Sequence, residues 1–282
     1  MAEKYALEGS EDLMRDLVSQ SPGLAADAAI KHLSSGGKRI RARLALSSAS
    51  HLGLGEDTAI RIAAASELIH NASLVHDDIQ DRSARRRGAS TIWDAFGADT
   101  AICVGDLMIS AAYAAAAGVG SQAPQLIGHI HGRVCEVIQG QCADLEARHR
   151  PVETLEEYER IARSKSAPLL ALPIDLALIA ARRRDGLDQA RRAAGAFAAA
   201  YQMADDIEDV MADALAGEVN IVAILGGASM NSPEAMQVRK LAARYYDEAG
   251  ELARRLPKGC GTLMAAYAEA GAGRLAGEKV PA

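Results

Sequence analysis

Residues 63–81, AAASELIHNASLVHDDIQD, and residues 193–209, AAGAFAAAYQMADDIED, are apolar, helix-forming segments that each run into an acidic turn. Alanine and leucine have high helix propensity, so both segments are predicted to be helices. The acidic turns Asp77–Asp81 and Asp205–Asp209 share one spacing, with the first and last aspartates four residues apart. On a helix such residues stack about 5–6 Å apart on one face. The sequence therefore predicts two core helices that each carry a pair of neighbouring carboxylates.

The paired carboxylates are candidate metal ligands. Carboxylates held close together resist ionisation unless a cation joins them. Mg²⁺ prefers oxygen ligands, commonly one or two carboxylates together with substrate phosphates. A short acidic run on a helix is more often a solvated face, and that interpretation stays open for either motif taken alone. Two copies, each following a segment with the composition of a core helix, favour magnesium and diphosphate chemistry.

The composition predicts an all-α protein. The chain has 282 residues, of which 49% are hydrophobic, with few aromatic residues (Trp 1, Tyr 7, Phe 2). A chain of this length can bury a large core, and we expect one all-helical domain over residues 1–282. The net charge of −6 argues against general nucleic-acid binding, which depends on positive charge. The four cysteines form no CxxC pair, so reduced thiols are expected rather than disulfides or zinc ligands.

The chain carries no pattern typical of export or membrane insertion. Its first residues include Glu3, Lys4 and Glu8 instead of an apolar segment behind a basic lead, so we expect no signal peptide and a cytoplasmic location. The most membrane-like stretch, Ala101–Gly120, is interrupted by Asp106 and is rich in alanine and glycine. We therefore predict a buried helix there and no transmembrane segment.

Clusters of glycine, proline and serine divide the chain into about ten predicted helices, with no linker long enough to separate domains. Two long core helices are predicted at Asp57–Gln80 and Leu187–Met211. The predicted breaks fall near residues 21–23, 34–38, 53–56, 118–124, 150–151, 184–186, 216–220, 226–233 and 257–261.

A basic cluster, Arg82, Arg85, Arg86 and Arg87, follows the first acidic turn directly. Guanidinium groups bind phosphate oxygens through paired hydrogen bonds, so arginines beside a metal-binding turn indicate a diphosphate clamp. A second cluster at residues 182–184 has the pattern of a helix C-terminus and is interpreted as solvated surface.

Six blocks of sequence together resemble the trans-prenyl diphosphate synthases, in the order in which that family has them. The resemblance runs from about Gly36 to Gly226. The matching blocks are Gly36–Arg41 (GGKRIR), Leu68–Gly88 (LIHNASLVHDDIQDRSARRRG), Val104–Asp106 (VGD), Gln139–Gln141 (QGQ) with Asp144 and Leu145, Lys165–Ser166 (KS), and Tyr201–Asp209 (YQMADDIED). Each block alone is a weak signal, and six in the right order are a strong one.

The resemblance implies a bundle of mostly antiparallel helices around a deep cavity, with the acidic motifs facing each other at its mouth. It implies three Mg²⁺ ions with Asp77, Asp81 and Asp205 as ligands, and with Asp78 and Asp209 supporting them or binding through water. Family members are usually homodimers.

The same resemblance implies two diphosphate sites. The residues that would hold isopentenyl diphosphate are Lys38, Arg41, His70 and Arg87. The residues that would contact an allylic diphosphate are Arg86, Lys165, Ser166 and Gln202. Of these, Arg86, Lys165 and Gln202 are the implied catalytic residues, since they would stabilise the departing diphosphate.

Helical spacing supports part of this assignment independently. His70, Asp77 and Asp81 share one stripe of a helix, and Gln202 and Asp205 share another. His70 and Gln202 are therefore predicted to point where the carboxylates point. Taken alone, His70 would be interpreted as a core histidine.

Product length in this family depends on the residue five positions before the first motif, where a bulky side chain shortens the product. Here that position is Ala72, followed by Ser73. The motif DDIQD also lacks the two-residue insertion of typical bacterial farnesyl synthases. The resemblance therefore implies a C20 product, geranylgeranyl diphosphate.

The second motif departs from the family pattern. The family commonly has FQxQDD, whereas this chain has Tyr201–Asp206 (YQMADD), with Ala204 in place of the second glutamine. The following segment, Val210–Gly226, is shorter than in the family, and Glu218 replaces the lysine of a Gly-Lys pair. Losing a charge-assisted hydrogen bond to a diphosphate costs about 1.5–3 kcal/mol. Three alternatives stay open: Asp213 binds metal, Glu218 binds metal, or the shortened segment leaves the site more open.

Other functions also stay open. The altered second motif favours a non-elongating or regulatory subunit of a prenyl synthase, although the intact first motif and the cationic residues argue against it. An enzyme that uses the same ionisation for cyclisation or irregular coupling is another alternative, and the retained isopentenyl site argues against a cyclase. A metal-dependent phosphohydrolase with a His76–Asp77 dyad leaves the second motif and Lys165 unexplained.

Overall fold

The computed structural model describes residues 2–20, 22–147 and 152–277, and among these residues it has twelve α-helices and one short β-hairpin. The helices are α1 Ala2–Ser19, α2 Leu24–Ser34, α3 Ile40–Leu52, α4 Glu56–Gln80, α5 Ile92–Phe96, α6 Ala98–Ala117, α7 Ala123–Ala147, α8 Leu155–Ala180, α9 Leu187–Ala216, α10 Ile221–Ile224, α11 Pro233–Arg254 and α12 Thr262–Leu275. The antiparallel strands β1 Arg85–Arg86 and β2 Ala89–Ser90 lie between α4 and α5. The predicted all-α class is confirmed.

Helix boundaries follow the predicted breaks closely. The two long predicted core helices are found as α4 and α9, and α9 continues beyond Met211 until Gly217 ends it with a left-handed φ of +71°. The described residues contain more helices than expected because residues 81–97 hold the hairpin, α5 and a glycine with φ +87° at which α6 begins. The break predicted at 150–151 lies outside the described residues.

The chain forms two compact units. Unit 1 comprises Met1–His131 and Leu172–Arg184, and unit 2 comprises Gly132–Ala171 and Asp185–Ala282. The first acidic motif belongs to unit 1 and the second to unit 2. A single domain over the whole chain stays a prediction.

In unit 1, α4 packs against α1, α3 and α6. It is apolar around most of its circumference, which is typical of a helix buried on several sides. Gly105 of α6 lies against the imidazole of His76, since a Cβ there would come within 2.0 Å of His76 Nε2. Glycine therefore lets α6 approach α4 at the residue that precedes Asp77.

Helix α6 is, among the described helices, the one long and apolar enough to cross a membrane by length and composition. Of that apolar window, 44% is buried within the protein. Its buried residues include Ala101, Val104, Met108 and Ala112 at helical spacing, and the helix packs against α1, α2, α4 and α5. This packing accords with the buried helix predicted for the stretch.

In unit 2, α9 packs against α10, α11 and α12. Phe197 of α9 meets Tyr246 of α11 edge to face, with ring centroids 5.5 Å apart. Gly271 of α12 leaves room for the same tyrosine, because a Cβ there would lie 2.4 Å from its ring. These contacts fix the helix that carries the second acidic motif.

Candidate active site

In unit 1 one arginine of the basic cluster after the first motif contacts the turn before α3. Arg87 follows β1, and its Nη1 donates a hydrogen bond to the carbonyl oxygen of Gly36. Gly37 has φ +135°, and a Cβ there would lie 2.5 Å from Arg87 Nη1. Glycine is required both by the backbone conformation and by the approach of the guanidinium group. The structure thus brings the GGKRIR block and the arginine cluster together.

His70 lies within this positive charge. Burial lowers the pKa of His70 well below its ordinary value, and the charges of Arg41, Arg87 and Arg86 lower it further. Its Nδ1 atom is out of solvent and has no hydrogen-bond partner among the described residues. The imidazole is therefore neutral at pH 7. Three guanidinium groups beside a neutral imidazole form a site that suits an anion.

Arg39 holds the turn that carries this site. It has a left-handed φ of +50°, and its side chain is 6% exposed. Nε donates to Glu11 Oε1 at 2.8 Å, Nη2 donates to the carbonyl oxygen of Leu33, and Nη1 lies 3.9 Å from Glu67 Oε1. Glu67 Oε2 accepts a 3.0 Å hydrogen bond from the amide of Ala42 near the start of α3. One buried guanidinium therefore ties α1, α2 and α4 to the turn before α3.

In the first acidic motif, the first and fifth aspartates are accessible and the second is buried. Asp81 N donates to Asp77 O at 2.8 Å, so the two aspartates stack one helical turn apart. Asp78 is 1% exposed and accepts hydrogen bonds from Arg86 Nε at 2.9 Å and Nη2 at 2.8 Å. Burial raises the pKa of Asp78, and the hydrogen bond from Arg86 opposes that shift. Asp78 therefore holds the guanidinium group of Arg86 in place.

The second acidic motif has the same division in unit 2. Asp205 and Asp209 are exposed, whereas Asp206 is 2% exposed. Although its side chain reaches solvent, desolvation by the surrounding protein raises the pKa of Asp205, and the charges of Asp209, Glu208 and Asp213 act in the same direction. A hard cation stabilises carboxylates that repel one another in this way.

Asp206 connects α9 to the start of α10. Its Oδ1 accepts a 2.8 Å hydrogen bond from Gln202 Nε2, and its Oδ2 accepts one of 2.8 Å from the amide of Ile221. Burial raises the pKa of Asp206 to about 6, while these hydrogen bonds lower it. Gln202, predicted to contact an allylic diphosphate, is thus engaged with Asp206.

Lys165 of α8 forms an ion pair with Asp144 of α7, with Nζ and Oδ2 2.9 Å apart. Gly140 precedes Asp144 by one helical turn, and a Cβ there would lie 2.5 Å from the carbonyl oxygen of Ser164. The two helices therefore touch through their backbones at Gly140. This contact explains why the QGQ, Asp144 and KS blocks belong together.

The predicted site residues divide between the two units. Those in unit 1 are Lys38, Arg41, His70, Asp77, Asp81, Arg86 and Arg87. Those in unit 2 are Lys165, Ser166, Gln202, Asp205 and Asp209. In unit 1 the charges of Arg41 and Arg87, both assigned to the isopentenyl site by the family resemblance, act on His70, and so does the charge of Arg86, which the resemblance assigns to the allylic site. Lys38 is exposed in its turn, and Ser166 is half-buried on α8.

Several residues that shape the site were not predicted from the sequence. Arg39 and Glu67 are far apart in the chain, and no local pattern indicates their contact. Asp144 was matched to the family without a role. Asn220 had a usable signal, because asparagine directly before the apolar run IVAI is a typical helix N-cap.

The aspartates fit a magnesium ion. Among the described residues, no three His, Cys, Asp or Glu side chains group together as metal ligands. Each acidic motif by itself offers a pair of accessible carboxylates. Mg²⁺ is typically held by one or two carboxylates, with water and substrate phosphate oxygens completing its coordination. The donor set therefore suits a metal that is shared with a bound diphosphate.

Comparison with known proteins identifies the family of this all-helical chain. The family model described as polyprenyl synthetase matches residues 24–218. The chain therefore belongs to the polyprenyl synthetase family.

Two curated relatives and one solved structure illustrate the similarity. The all-trans-nonaprenyl-diphosphate synthase (geranyl-diphosphate specific) of Rhodobacter capsulatus is 34% identical over 186 residues, covering 65% of this chain and 57% of the relative. The geranylgeranyl pyrophosphate synthase of Geoglobus acetivorans is 30% identical over 211 residues, covering 73% of this chain and 65% of the relative. The chain thus spans less than two thirds of the length of either relative.

The structure of a geranylgeranyl pyrophosphate synthetase from Geoglobus acetivorans has the same fold. It superposes with a TM-score of 0.83 at 23% identity and covers 96% of this chain and 99% of its own. At this identity the superposition supports the fold.

Proposed function

We propose that the chain is a trans-prenyl diphosphate synthase that condenses isopentenyl diphosphate with an allylic diphosphate in the presence of Mg²⁺. The observation that carries the proposal is the anion site of unit 1. There Arg87 donates a hydrogen bond to the carbonyl oxygen of Gly36, and burial with the charges of Arg41, Arg87 and Arg86 lowers the pKa of His70. Membership in the polyprenyl synthetase family supports the same activity.

The proposed roles follow the charge that develops during the reaction. When the C–O bond of the allylic diphosphate breaks, its electron pair goes to the departing diphosphate. Arg86, Lys165 and Gln202 are proposed to stabilise that diphosphate, with Ser166 as a further contact. By family resemblance, three Mg²⁺ ions would bind per site, held by Asp77, Asp81, Asp205 and Asp209. These ions would neutralise part of the charge of the departing diphosphate.

The second substrate is proposed to bind at the anion site of unit 1. Lys38, Arg41, His70 and Arg87 would hold the diphosphate of isopentenyl diphosphate, and its double bond would attack C1 of the allylic cation. Loss of a proton then completes the new prenyl unit. The buried apolar residues around α4 would exclude water, which otherwise traps the cation.

The proposed product is geranylgeranyl diphosphate. The relatives' names differ in product length, with one nonaprenyl and one geranylgeranyl synthase. On α4, Ala72 is 1% exposed and Ser73 is half-buried. Neither side chain is bulky, which supports a C20 product over a shorter one. A homodimer and a cytoplasmic location stay predictions.

The experiment that tests the function is incorporation of labelled isopentenyl diphosphate with Mg²⁺ and, in turn, C5, C10 and C15 allylic primers. Chain length is read from the dephosphorylated products. We expect labelled C20 alcohol, which is lost on chelation of Mg²⁺ and in Asp77→Asn or Asp205→Asn. A mainly C15 product would overturn the proposed length and leave the reaction class intact.

A non-elongating subunit is the second candidate. Glu218 favours it, because this residue is exposed, directly follows the C-terminal glycine of α9 and adds negative charge after the second motif. Absence of incorporation with every primer, from folded wild-type protein, would favour this candidate. Glu218→Lys is expected to tighten the allylic substrate if the glutamate weakens the site, and an unchanged KM would remove that explanation.

A further inference from the structure

The segment after the second acidic motif closes around the side chain of Asn220. Helix α9 ends at Ala216, Gly217 takes a left-handed conformation, and the amide of Glu218 bonds to Asp213 O at 2.9 Å. Asn220 follows with an extended backbone and is 2% exposed. The connection after α9 is therefore tight, with Glu218 exposed and the side chain of Asn220 buried.

Asn220 makes three hydrogen bonds in two directions. Its Oδ1 accepts from the amide of Val222 at 2.9 Å and so caps α10. Its Nδ2 donates at 2.7 Å to the backbone carbonyl of Asp206 and at 2.7 Å to Asp213 Oδ2. The carboxamide uses its donor and acceptor groups together, which no shorter neutral side chain can do. It therefore couples the start of α10 to the acidic face of α9.

Asp213 belongs to that acidic face. It follows Asp205 and Asp209 at intervals of four residues, so the three stack along one side of α9. Its charge contributes to the raised pKa of Asp205. Because Asn220 holds the Asp213 carboxylate in place, it also influences the electrostatic potential at the proposed metal ligand Asp205.

We propose that Asn220 is a positioning residue for the second acidic motif. Asn220 orients Asp213 and the backbone at Asp206, and thereby sets the affinity with which the motif binds a divalent metal ion together with diphosphate. This inference rests on the proposed function and adds a residue to it. It also gives the altered segment a role, since Asn220 makes the connection that closes it.

The test separates positioning from capping. Asn220→Ser keeps a side-chain acceptor that can cap α10 but is too short to reach Asp213 and Asp206 together. Asn220→Ala loses both functions. Asn231→Ala is the matched control, since Asn231 is an exposed asparagine of the same unit.

The measurement is calorimetric titration of each variant with Mn²⁺ in the presence of inorganic diphosphate, beside its thermal midpoint. Outer partners of metal ligands typically change affinity by about 10- to 100-fold, so we expect Asn220→Ser and Asn220→Ala to bind Mn²⁺ at least about tenfold more weakly. Asn231→Ala should match the wild type. If Asn220→Ser binds Mn²⁺ like the wild type and only Asn220→Ala is altered, the residue is a helix cap and the proposal is wrong.

A double-mutant cycle with Asp213→Asn tests the route. If Asn220 acts through Asp213, Asn220→Ser should have a smaller effect in the Asp213→Asn background, and fully additive effects would contradict that route. These titrations need no turnover. Mn²⁺ binding by a wild-type chain that incorporates no label would preserve the role of Asn220 while removing the proposed reaction, and no Mn²⁺ binding at all would overturn both.

Discussion

Lys165 Nζ lies 2.9 Å from Asp144 Oδ2, one helical turn beyond the point where Gly140 brings α7 against the backbone of Ser164. The pair is partly accessible, with 33% of the lysine side chain and 23% of the aspartate exposed. Ion pairs of this exposure contribute about 0–1 kcal/mol to folding. The Asp144 contact is therefore expected to matter more for the orientation of the Lys165 ammonium group than for the stability of the fold.

Asp144→Asn is expected to leave the free energy of unfolding within about 1 kcal/mol of the wild type. Lys165→Met, which would remove the proposed charge-assisted contact with diphosphate, should lower kcat/KM for the proposed allylic substrate by roughly 10- to 100-fold. Asp144→Asn should lower it less, because the ammonium group remains but loses its orientation. Urea unfolding and steady-state kinetics measure the two effects. Glu136→Gln, which removes the Arg133 ion pair on α7, is the control and should not change kcat/KM.

Gly140→Ala is expected to destabilise the protein by about 1–3 kcal/mol, because the added methyl group meets backbone atoms that cannot move independently. Gly132→Ala lies on the same helix, where a Cβ meets nothing within 4 Å. That substitution should stabilise by about 0.5–1 kcal/mol through its helix propensity. Chemical unfolding of both variants tests the prediction. Equal effects of the two substitutions would contradict the close contact at Gly140.

Arg39→Met is expected to cost about 3–5 kcal/mol of unfolding free energy, because it leaves the buried Glu67 carboxylate without its cation. Arg15→Met removes an arginine whose side chain is 39% exposed and should change stability by less than about 1 kcal/mol. Urea unfolding measures both. A small effect of Arg39→Met would mean that the turn before α3 is held by other contacts.

His32 is expected to lower stability as the pH drops from about 6.5 towards 4, while Asp206, whose pKa is raised to about 6, opposes this change over the same range. The pKa of His32 is lowered from 6.5 to about 4, mainly by burial and in part by the charges of Arg87, Arg86 and Arg39, while the hydrogen bond with Asn71 opposes the shift. The unfolded chain binds a proton in this range and the folded chain does not. The contribution, up to about 3 kcal/mol, is present above pH 6.5 and is lost on the way to pH 4.

The measurement is urea unfolding of the wild type, His32→Gln and His51→Gln at pH 7.5 and pH 5. His32→Gln should reduce the loss of stability between these pH values, and His70, whose pKa is also lowered, should account for part of the remainder. His51 is exposed, so His51→Gln should behave as the wild type. An unchanged pH dependence in His32→Gln would contradict the assignment.

Ser73→Phe is expected to shift the product of the proposed reaction from C20 towards C15. Ser73 is half-buried on α4, one residue after the 1%-exposed Ala72. Ala72→Phe places the same ring at a fully packed position and should cost about 1–3 kcal/mol in stability. Chain-length analysis and thermal unfolding separate the two. Unchanged products with Ser73→Phe would place the limit on chain length elsewhere.

The sequence predicted the helices and the polar groups that are local in the chain. The stacking of Asp77 with Asp81 and the helix over 56–80 follow from spacing and composition, and both are found. The hairpin at 85–90 escaped prediction because two-residue strands have no periodicity to detect. The effect of Arg41 and Arg87 on His70 accords with the grouping that the family resemblance implies, whereas the effect of Arg86 on His70 was not predicted.

The features that the sequence did not predict mostly depend on contacts between residues far apart in the chain. The Arg39–Glu67 pair joins residues on different elements, and nothing in either local sequence selects the partner. Gln202 was grouped with Asp205 by helical spacing, but its side-chain amide donates a hydrogen bond to the buried carboxylate of Asp206. Burial, which sequence spacing does not determine, decides which aspartate of each motif is structural.

Substitutions at the buried and at the accessible aspartates of the two motifs should have different effects. Asp78 and Asp206 are 1% and 2% exposed, whereas their neighbours at the first and fifth positions are accessible. A saturation screen scored by protein abundance would therefore be most sensitive at the second aspartate of each motif. A screen scored by growth that depends on the product of the proposed reaction would respond at all three positions. The ratio of the two scores would then separate the buried second aspartate from the proposed metal ligands.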